Sequence, residues 1–177
     1  MDGFLETVSG STMQGTAMPV TEALPADCHT IIRTVAAYWS VIHPAPGVLP
    51  AREDFDPLDL PAAVWPHLVL SEILDPDFDV RYRLVGTAVV KLDGIDRTGM
   101  TFSEYPPRRD RRETVADYRL AIDGRTVSFR RIPLFDRERG YRLTLERAHF
   151  PLAANGRDVD MILTALVKLD RPRAPSA

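Results

Sequence analysis

Cysteine is almost absent from this chain of 177 residues, and the single Cys28 cannot close a disulfide within one molecule. It also leaves no set of thiols from which a structural metal site could be built. No stretch approaches the roughly 18 apolar residues that a membrane-spanning helix needs, and no basic segment followed by an apolar run is found near Met1. We therefore expect a cytoplasmic protein.

An excess of one charge is also missing. The formal net charge of −3 is too small to indicate a nucleic-acid partner or binding to an anionic membrane. The basic run Arg108–Arg112 contains Asp110, has no interleaved aromatic residues and belongs to no helix-turn-helix. We interpret it as the solvated start of a helix, and we expect neither a nucleic-acid partner nor a membrane partner.

The short motifs of nucleophilic and nucleotide-dependent enzymes are absent. The sequence has no GxSxG nucleophile elbow and no GxGxxG or GxxxxGK[ST] phosphate loop, and no motif surrounds Cys28. His29, His43, His67 and His149 match no metal-binding spacing, so we interpret them as surface or helix-end residues. We predict no catalytic residue, no metal ligand and a non-enzymatic protein.

The patterns that are present predict one α+β domain. Apolar residues recur at steps of three and four from Asp27 to His43, which is typical of an amphipathic helix with Asp27 as its N-cap. Two short strand-like runs start at Leu68, and helical turns then end at Gly94. A longer helix from Arg108 to Ile122 precedes three strand-like runs, Thr126–Phe135, Tyr141–Pro151 and Val159–Leu169.

Helices that lie between two groups of antiparallel strands indicate a five-stranded antiparallel sheet flanked by helices. We divide the chain into a flexible leader (1–26), one domain (27–169) that includes the N-terminal helix (27–43), and a disordered tail (170–177).

An acidic, proline-rich segment connects the first helix to the first strand. Its carboxylates, Glu53, Asp54, Asp56 and Asp59, do not form a calcium loop, because the fifth position counted from Asp54 is Leu58 and the sixth is not glycine. Asp56 and Asp59 each precede a residue pattern typical of a capped helical turn. We interpret the segment as a capped connector rather than a metal site.

Several motifs resemble those of a PAS domain. Gly94 and Gly99 fall where that pattern places two glycines. The tryptophan-bearing N-terminal helix, "LPAREDFDPLDLP", "RYRLVGT" and "NGRDVDMILTAL" are similar to the alphaproteobacterial single-domain PAS-like family with its LPxRxDxDPLDxP motif. The resemblance covers about residues 27–169 and implies a PAS-like fold.

This resemblance raises the question of a cofactor. Haem-binding PAS sensors supply a histidine from the helix before the last three strands, and no histidine lies between Gly94 and Ala148. Flavin-binding relatives use a reactive cysteine in an NCRFLQ-like motif, and covalent chromophores also need a core cysteine. Because Cys28 lies in the N-terminal helix, we predict no cofactor and disfavour haem, flavin and a covalent chromophore.

Strand alternation and helix faces predict which residues line an interior cavity. The candidates are Tyr82, Leu84, Tyr118, Phe129, Arg131, Tyr141, Leu143 and Arg147. An arginine that points inward would hold a small carboxylate or phosphate. The alternative, which we favour, places the arginines on the other face of a bent strand and pairs them with Glu146 or Asp117, because unpaired buried charge is costly.

These observations predict a non-enzymatic, PAS-like sensory or regulatory module. It would bind a signalling partner protein, or form a homodimer, through the exposed sheet face and a helical stripe of four residues, Ile31, Val35, Trp39 and Ile42. An unidentified small molecule in the core would shift the docking of residues 27–43. Two alternatives are an enzyme that uses the same cavity for an acidic substrate and a structural adaptor without a ligand.

Overall fold

The structure, a computed structural model, describes residues 24–75, 78–104, 111–136 and 141–169, without the side chains at 75, 111, 134–136 and 141–142. Most of the predicted leader, the predicted tail and Arg108 to Asp110 of the basic run lie outside the described residues. The elements are α1 (Thr30–Val41), β1 (Leu68–Asp75), β2 (Asp79–Val85), α2 (Thr87–Asp93), α3 (Arg111–Gly124), β3 (Ser128–Asp136), β4 (Tyr141–Leu152) and β5 (Met161–Leu169).

The five strands form one antiparallel sheet in the order β2-β1-β5-β4-β3. The last strand therefore lies between the first strand and the β3–β4 hairpin, where it closes the sheet. The predicted α+β fold with a five-stranded antiparallel sheet and flanking helices is confirmed. Within the described ranges, no helix has the length and apolar character needed to cross a membrane.

Helix α1 covers one face of the sheet, which we call the α1 face. Ile32, Val35 and Trp39 are buried there against alternate residues of β4 and β5. The sheet contributes Leu68, Leu70, Phe129, Ala148, Phe150, Leu152, Leu163, Ala165 and Val167 to this cluster. Cys28 is also buried in it, where desolvation raises the pKa of its thiol, so it packs as a small hydrophobic residue.

The start of α1 differs from the prediction. His29, rather than Asp27, is the N-cap, and its Nδ1 accepts a hydrogen bond from the amide of Ile31 at 3.2 Å. The Asp27 carboxylate instead pairs with Arg131 at 2.9 Å. The Asp27 side chain therefore forms a tertiary ion pair instead of the local helix cap.

The connector between α1 and β1 contains two 3₁₀ turns, Pro57–Asp59 and Trp65–His67. Asp56 caps the first turn, as predicted, because its carboxylate accepts the amide of Leu58 at 2.9 Å. Asp59 does not cap a turn; its carboxylate accepts a hydrogen bond from the hydroxyl of Tyr38 at 3.0 Å and so ties the connector to α1. In the ranges that the structure covers, no three His, Cys, Asp or Glu residues cluster as metal ligands do.

Helices α2 and α3 lie against the opposite face, which we call the cavity face. Gly94 ends α2 in the left-handed conformation, with φ of 76°, and Gly99 has φ of 86°, so both glycines stand where residues with a side chain would be strained. Phe78 and Tyr118 pack with their ring centroids 5.4 Å apart and close one end of this layer.

Candidate functional site

A cavity of about 80 Å³ lies where α2 and α3 meet the sheet. The sheet supplies its floor from β1, β2, β4 and β5, and the two helices supply its walls. Its lining residues are Val69, Tyr82, Val85, Val89, Asp93, Arg97, Thr114, Tyr118, Arg147, His149, Thr164 and Leu166. Charged and hydroxyl groups therefore share the cavity with a wall of aliphatic side chains.

A buried hydrogen-bond network forms part of the floor. The hydroxyls of Tyr118 and Ser71 are 2.9 Å apart, and Nδ1 of His149 lies 2.8 Å from the hydroxyl of Thr164. The rings of Tyr118 and His149 are in contact, with centroids 4.5 Å apart. Burial raises the pKa of Tyr118, and burial together with the positive charges of Arg147 and Arg130 holds the pKa of His149 well below 6.5. His149 is therefore a neutral imidazole at neutral pH.

Ion pairs position the arginines around the cavity. The buried carboxylate of Asp117 on α3 accepts Nε of Arg130 at 2.8 Å and also pairs with Arg147. Asp93, the last residue of α2, pairs with Arg97 four residues later. Because each guanidinium group carries five N–H donors, these pairs leave donors over.

Three buried nitrogen atoms on the cavity residues have no hydrogen-bond partner among the residues that the structure describes. They are Nε of Arg97, Nε of Arg147 and Nε2 of His149. A buried polar atom without a partner costs about 1–3 kcal/mol, so such atoms are usually satisfied by water or by a ligand. Three of them at one cavity mark it as the candidate functional site.

The structure brings together only some of the residues predicted from the sequence. Tyr82, Tyr118 and Arg147 line the cavity. Phe129 and Arg131 lie on the α1 face, because β3 alternates in the opposite sense to the prediction.

The remaining predicted pocket residues lie elsewhere. Leu84 is 46% exposed, and Leu143 packs in a separate small cluster with Ile132 and Leu145. The side chain of Tyr141 is outside the described residues. The favoured pairing of the arginines is found, since Arg131 pairs with Glu146 and Arg147 with Asp117, yet Arg147 still points toward the cavity.

Sequence reasoning missed nine of the twelve residues that line the cavity, and His149 and Arg97 are the two of them with an unpartnered nitrogen. His149 is a core residue, 1% exposed, and its interpretation as a surface or helix-end residue is wrong. The signal was available, because residue 149 shares a strand face with Arg147 by alternation. Arg97 follows α2 in a loop, and no periodic pattern predicts the direction of a loop side chain.

The helical stripe predicted to bind a partner is covered by the chain's own sheet. Val35 is fully buried and Trp39 is 9% exposed, while Ile31 and Ile42 are partly buried against the same cluster. The indole Nε1 of Trp39 donates to the carbonyl of Pro151 at 3.0 Å. The stripe is therefore an intramolecular contact and not a free surface, and the sheet face that was expected to be exposed is the one it covers.

Residues 28–167 match the sequence model of the PAS domain family. No curated protein sequence matches the chain. Similar solved structures include the RsLOV d2 variant, which is 15% identical with a TM-score of 0.42, and the match covers 59% of each chain. At this level the likeness concerns the fold alone.

Two further similar structures are light-oxygen-voltage proteins. One, on a flavin analogue in a light-oxygen-voltage domain, is 15% identical with a TM-score of 0.42 and covers 58% of this chain and 76% of that chain. The other, an RNA-binding light-oxygen-voltage receptor, is 15% identical with a TM-score of 0.41 and covers 85% of this chain and 37% of that chain. The flavin and the RNA belong to the descriptions of those two proteins and not to this chain.

These neighbours correct the expectation that a flavin is disfavoured. That expectation rested on a missing core cysteine, and Cys28 is buried on the α1 face, away from the cavity. A missing cysteine removes one covalent bond, whereas reversible binding depends on cavity size and on hydrogen-bonding groups. The missing cysteine therefore argues against a covalent bond to flavin and does not argue against a reversibly bound flavin.

Proposed function

The chain belongs to the PAS domain family, and from this premise we propose that it is a non-enzymatic sensory module that reports the state of its cavity to a partner protein through α1. Within the family, we place it in the single-domain subgroup whose LPxRxDxDPLDxP motif it carries at 49–61. The absence of nucleophile and phosphate-loop motifs supports a role without catalysis.

The observation that carries this proposal is the double role of β4. On its cavity face, Arg147 and His149 line the cavity. On its α1 face, Glu146 accepts the amide of His29 at 2.6 Å, and the carbonyl of Pro151 accepts the indole of Trp39 at 3.0 Å. One strand therefore holds both ends of α1 while its alternate side chains meet the cavity.

The backbone of β4 links the cavity to α1. Successive side chains leave this backbone in opposite directions, so a shift of the strand moves the side chains on both faces of the sheet. Glu146 is fully buried and also accepts Nε of Arg131 at 2.7 Å, so the start of α1 has little freedom of its own. A ligand that favours one position of β4 would shift the population of α1 positions.

The partner would contact α1 from its solvent side. Val41 at the end of α1 is 79% exposed, and Leu58 on the adjoining connector is 74% exposed. The partner is a protein or a second copy of this chain, bound to that outer surface, since the stripe of α1 is engaged with the sheet.

Flavin is a cofactor to test against this site. The cavity of about 80 Å³ is well below the roughly 300–1,000 Å³ of pockets that hold drug-sized ligands. A flavin ring would therefore need this cavity to widen. No step of the proposed function depends on a flavin.

Amide hydrogen exchange tests the proposal. The full chain would be measured alone and with flavin mononucleotide, sodium propionate, propionamide or indole, after a thermal melt shows which of them binds. We expect a probe that raises the melting temperature to change exchange in residues 30–41 as well as around the cavity. Binding that alters α2 and α3 but leaves 30–41 unchanged would reject transmission through β4.

A pair of variants sharpens the test. Glu146→Gln leaves the cavity face intact but weakens the hold on His29, so a probe should still bind while its effect on α1 is reduced. Glu72→Gln is the matched control, since Glu72 pairs with Arg81 at 3.7 Å, on the neighbouring strand at the sheet edge. If no probe binds, and none co-purifies by native mass spectrometry, the ligand-free adaptor replaces the sensor.

A further inference from the structure

The three buried nitrogen atoms without partners at the cavity share one chemical property. Nε of an arginine can only donate a hydrogen bond, and this holds for Arg97 and Arg147. Nε2 of His149 donates or accepts according to the tautomer, and its Nδ1 is already engaged with Thr164. The ligand that satisfies these atoms therefore accepts at least two hydrogen bonds.

The residues that line the cavity carry two guanidinium groups, Arg97 and Arg147, and one carboxylate, Asp93. The side chains of Arg97 and Arg147 are only 7% and 12% exposed. Arg147 shares the carboxylate of Asp117 with Arg130, which has a second partner in Glu113 at 3.8 Å. The lining by itself therefore has one more positive than negative group, and a single negative charge would fit this environment.

The size of the cavity limits the anion. One water molecule needs about 10–15 Å³ by this measure of volume, so about 80 Å³ holds roughly five waters or a ligand of four to six heavy atoms. One wall of the cavity is aliphatic and consists of Val69, Val85 and Val89. It offers no hydrogen bond to a polar ligand atom. The ligand therefore combines a compact acceptor group with a short apolar tail.

We propose that this cavity binds a monocarboxylate of two to four carbons, with the carboxylate accepting from Nε of Arg97 and Nε of Arg147 and the alkyl tail against the valine wall. His149 donates the third hydrogen bond from Nε2, in the neutral tautomer that carries its proton on this atom. A planar carboxylate accepts from two guanidinium groups through its two oxygens. This inference rests on the proposed function, since it names the ligand of the same cavity.

Phosphate fits the site less well than a carboxylate. At neutral pH a phosphate carries between one and two negative charges, which exceeds the single excess charge of the site, and it has no apolar part for the valine wall. Water would satisfy the three nitrogens but would bring no negative charge to a lining with two arginines and one carboxylate. A monocarboxylate meets both conditions.

Binding of propionate to the full chain tests the proposal. Sodium propionate, propionamide and sodium chloride at equal ionic strength would be compared by isothermal titration and by thermal melting. For a ligand of five heavy atoms we expect a Kd of roughly 0.01–1 mM. Propionamide has nearly the same shape without the charge, and we expect it to bind at least about tenfold more weakly. Equal binding of propionamide, or no binding of propionate up to about 10 mM, would overturn the proposal.

A variant locates the binding. Arg97→Gln removes one donor at the cavity, and we expect at least a tenfold loss of propionate affinity. Arg125→Gln is the control, because Arg125 donates to the carbonyl of Gly47 on the surface and does not line the cavity. As a check that does not depend on how well the variant folds, the ring signals of His149 in the unmodified protein should shift in NMR when propionate is added. Unshifted His149 signals together with measurable binding would place propionate elsewhere and overturn the assignment.

The outcomes separate this inference from the proposed function. If propionamide or indole binds the cavity and changes exchange in α1 while propionate does not bind, the ligand class is wrong and the sensor stands. If propionate binds with the expected selectivity but exchange in 30–41 is unchanged, the ligand class stands and transmission through β4 is wrong.

Discussion

Replacing the buried Glu146 by glutamine should loosen the start of α1 and destabilise the whole domain. The carboxylate is fully buried, accepts the amide of His29 at 2.6 Å and Nε of Arg131 at 2.7 Å, and is the only fully buried acidic group on the α1 face among the residues that the structure describes. Glutamine keeps the size of the side chain and one acceptor oxygen but loses the charge and places an N–H₂ group against a donor.

The magnitude follows from those two contacts. Removing one partner of a buried ion pair costs about 3–5 kcal/mol, and hydrogen bonds to charged groups contribute about 1.5–3 kcal/mol each. The cost is smaller here, because Arg131 is a quarter exposed and keeps Asp27 as a second partner. We expect a loss of about 2–4 kcal/mol in the free energy of unfolding, or roughly 5–15 °C in melting temperature for a chain of this size.

Urea unfolding followed by circular dichroism measures the loss, and hydrogen exchange shows where it acts. Exchange should accelerate first in Thr30–Val41, since His29 N–H is the group that loses its acceptor. A cycle with Arg131→Met should show coupling between the two residues of at least about 1 kcal/mol.

Glu72→Gln is the control for a change of charge on the same sheet. Glu72 lies 3.7 Å from both Arg81 and Arg83, all three side chains are more than a third exposed, and such pairs contribute about 0–1 kcal/mol. If Glu146→Gln costs no more than Glu72→Gln, the carboxylate does not hold α1, and the reasoning about β4 fails with it.

Three further predictions concern packing, hydrogen bonding and pH. Gly86→Ala should lower the melting temperature well beyond Gly124→Ala, because a Cβ at 86 would lie 2.3 Å from the carbonyl oxygen of Pro66, whereas at 124 it meets only a methyl group at 3.2 Å; similar melting temperatures would contradict the close approach. Trp39→Phe should cost about 1–3 kcal/mol in urea unfolding, because it leaves the buried carbonyl of Pro151 without its indole donor, and no loss would show that this bond does not contribute. Because the folded pKa of His149 lies well below 6.5, the unfolded state binds the proton first as the pH falls. The free energy of unfolding should therefore decrease below about pH 6.5, by up to about 1.4 kcal/mol per pH unit. His149→Gln should remove this contribution to the pH dependence, and an unchanged pH dependence would reject it.

The local elements were predictable because their signals are local. The periodic apolar residues of α1, the Asp56 cap, the stop at Gly94 and the three long strands all follow from residue types within a few positions of one another. The same reasoning failed at Asp27 and Asp59, whose carboxylates have tertiary partners instead of a helical turn to cap. A local capping preference is only about 1 kcal/mol, so contacts from distant parts of the chain can change which residue forms the cap.

The sequence by itself determined that this is one α+β domain with five strands and a helix carrying Trp39. It favoured arginines paired with Glu146 or Asp117 but left open whether Arg131 or Arg147 points into the core. Only the tertiary structure decided which face each strand side chain takes, because a shift of one residue exchanges the two faces and alternation alone does not say which face is which. That decision placed Arg131 under α1 and Arg147 with His149 at the cavity. It also brought Arg97, from a loop without any pattern, to the same site, since only the folded chain brings residues 50 positions apart into contact.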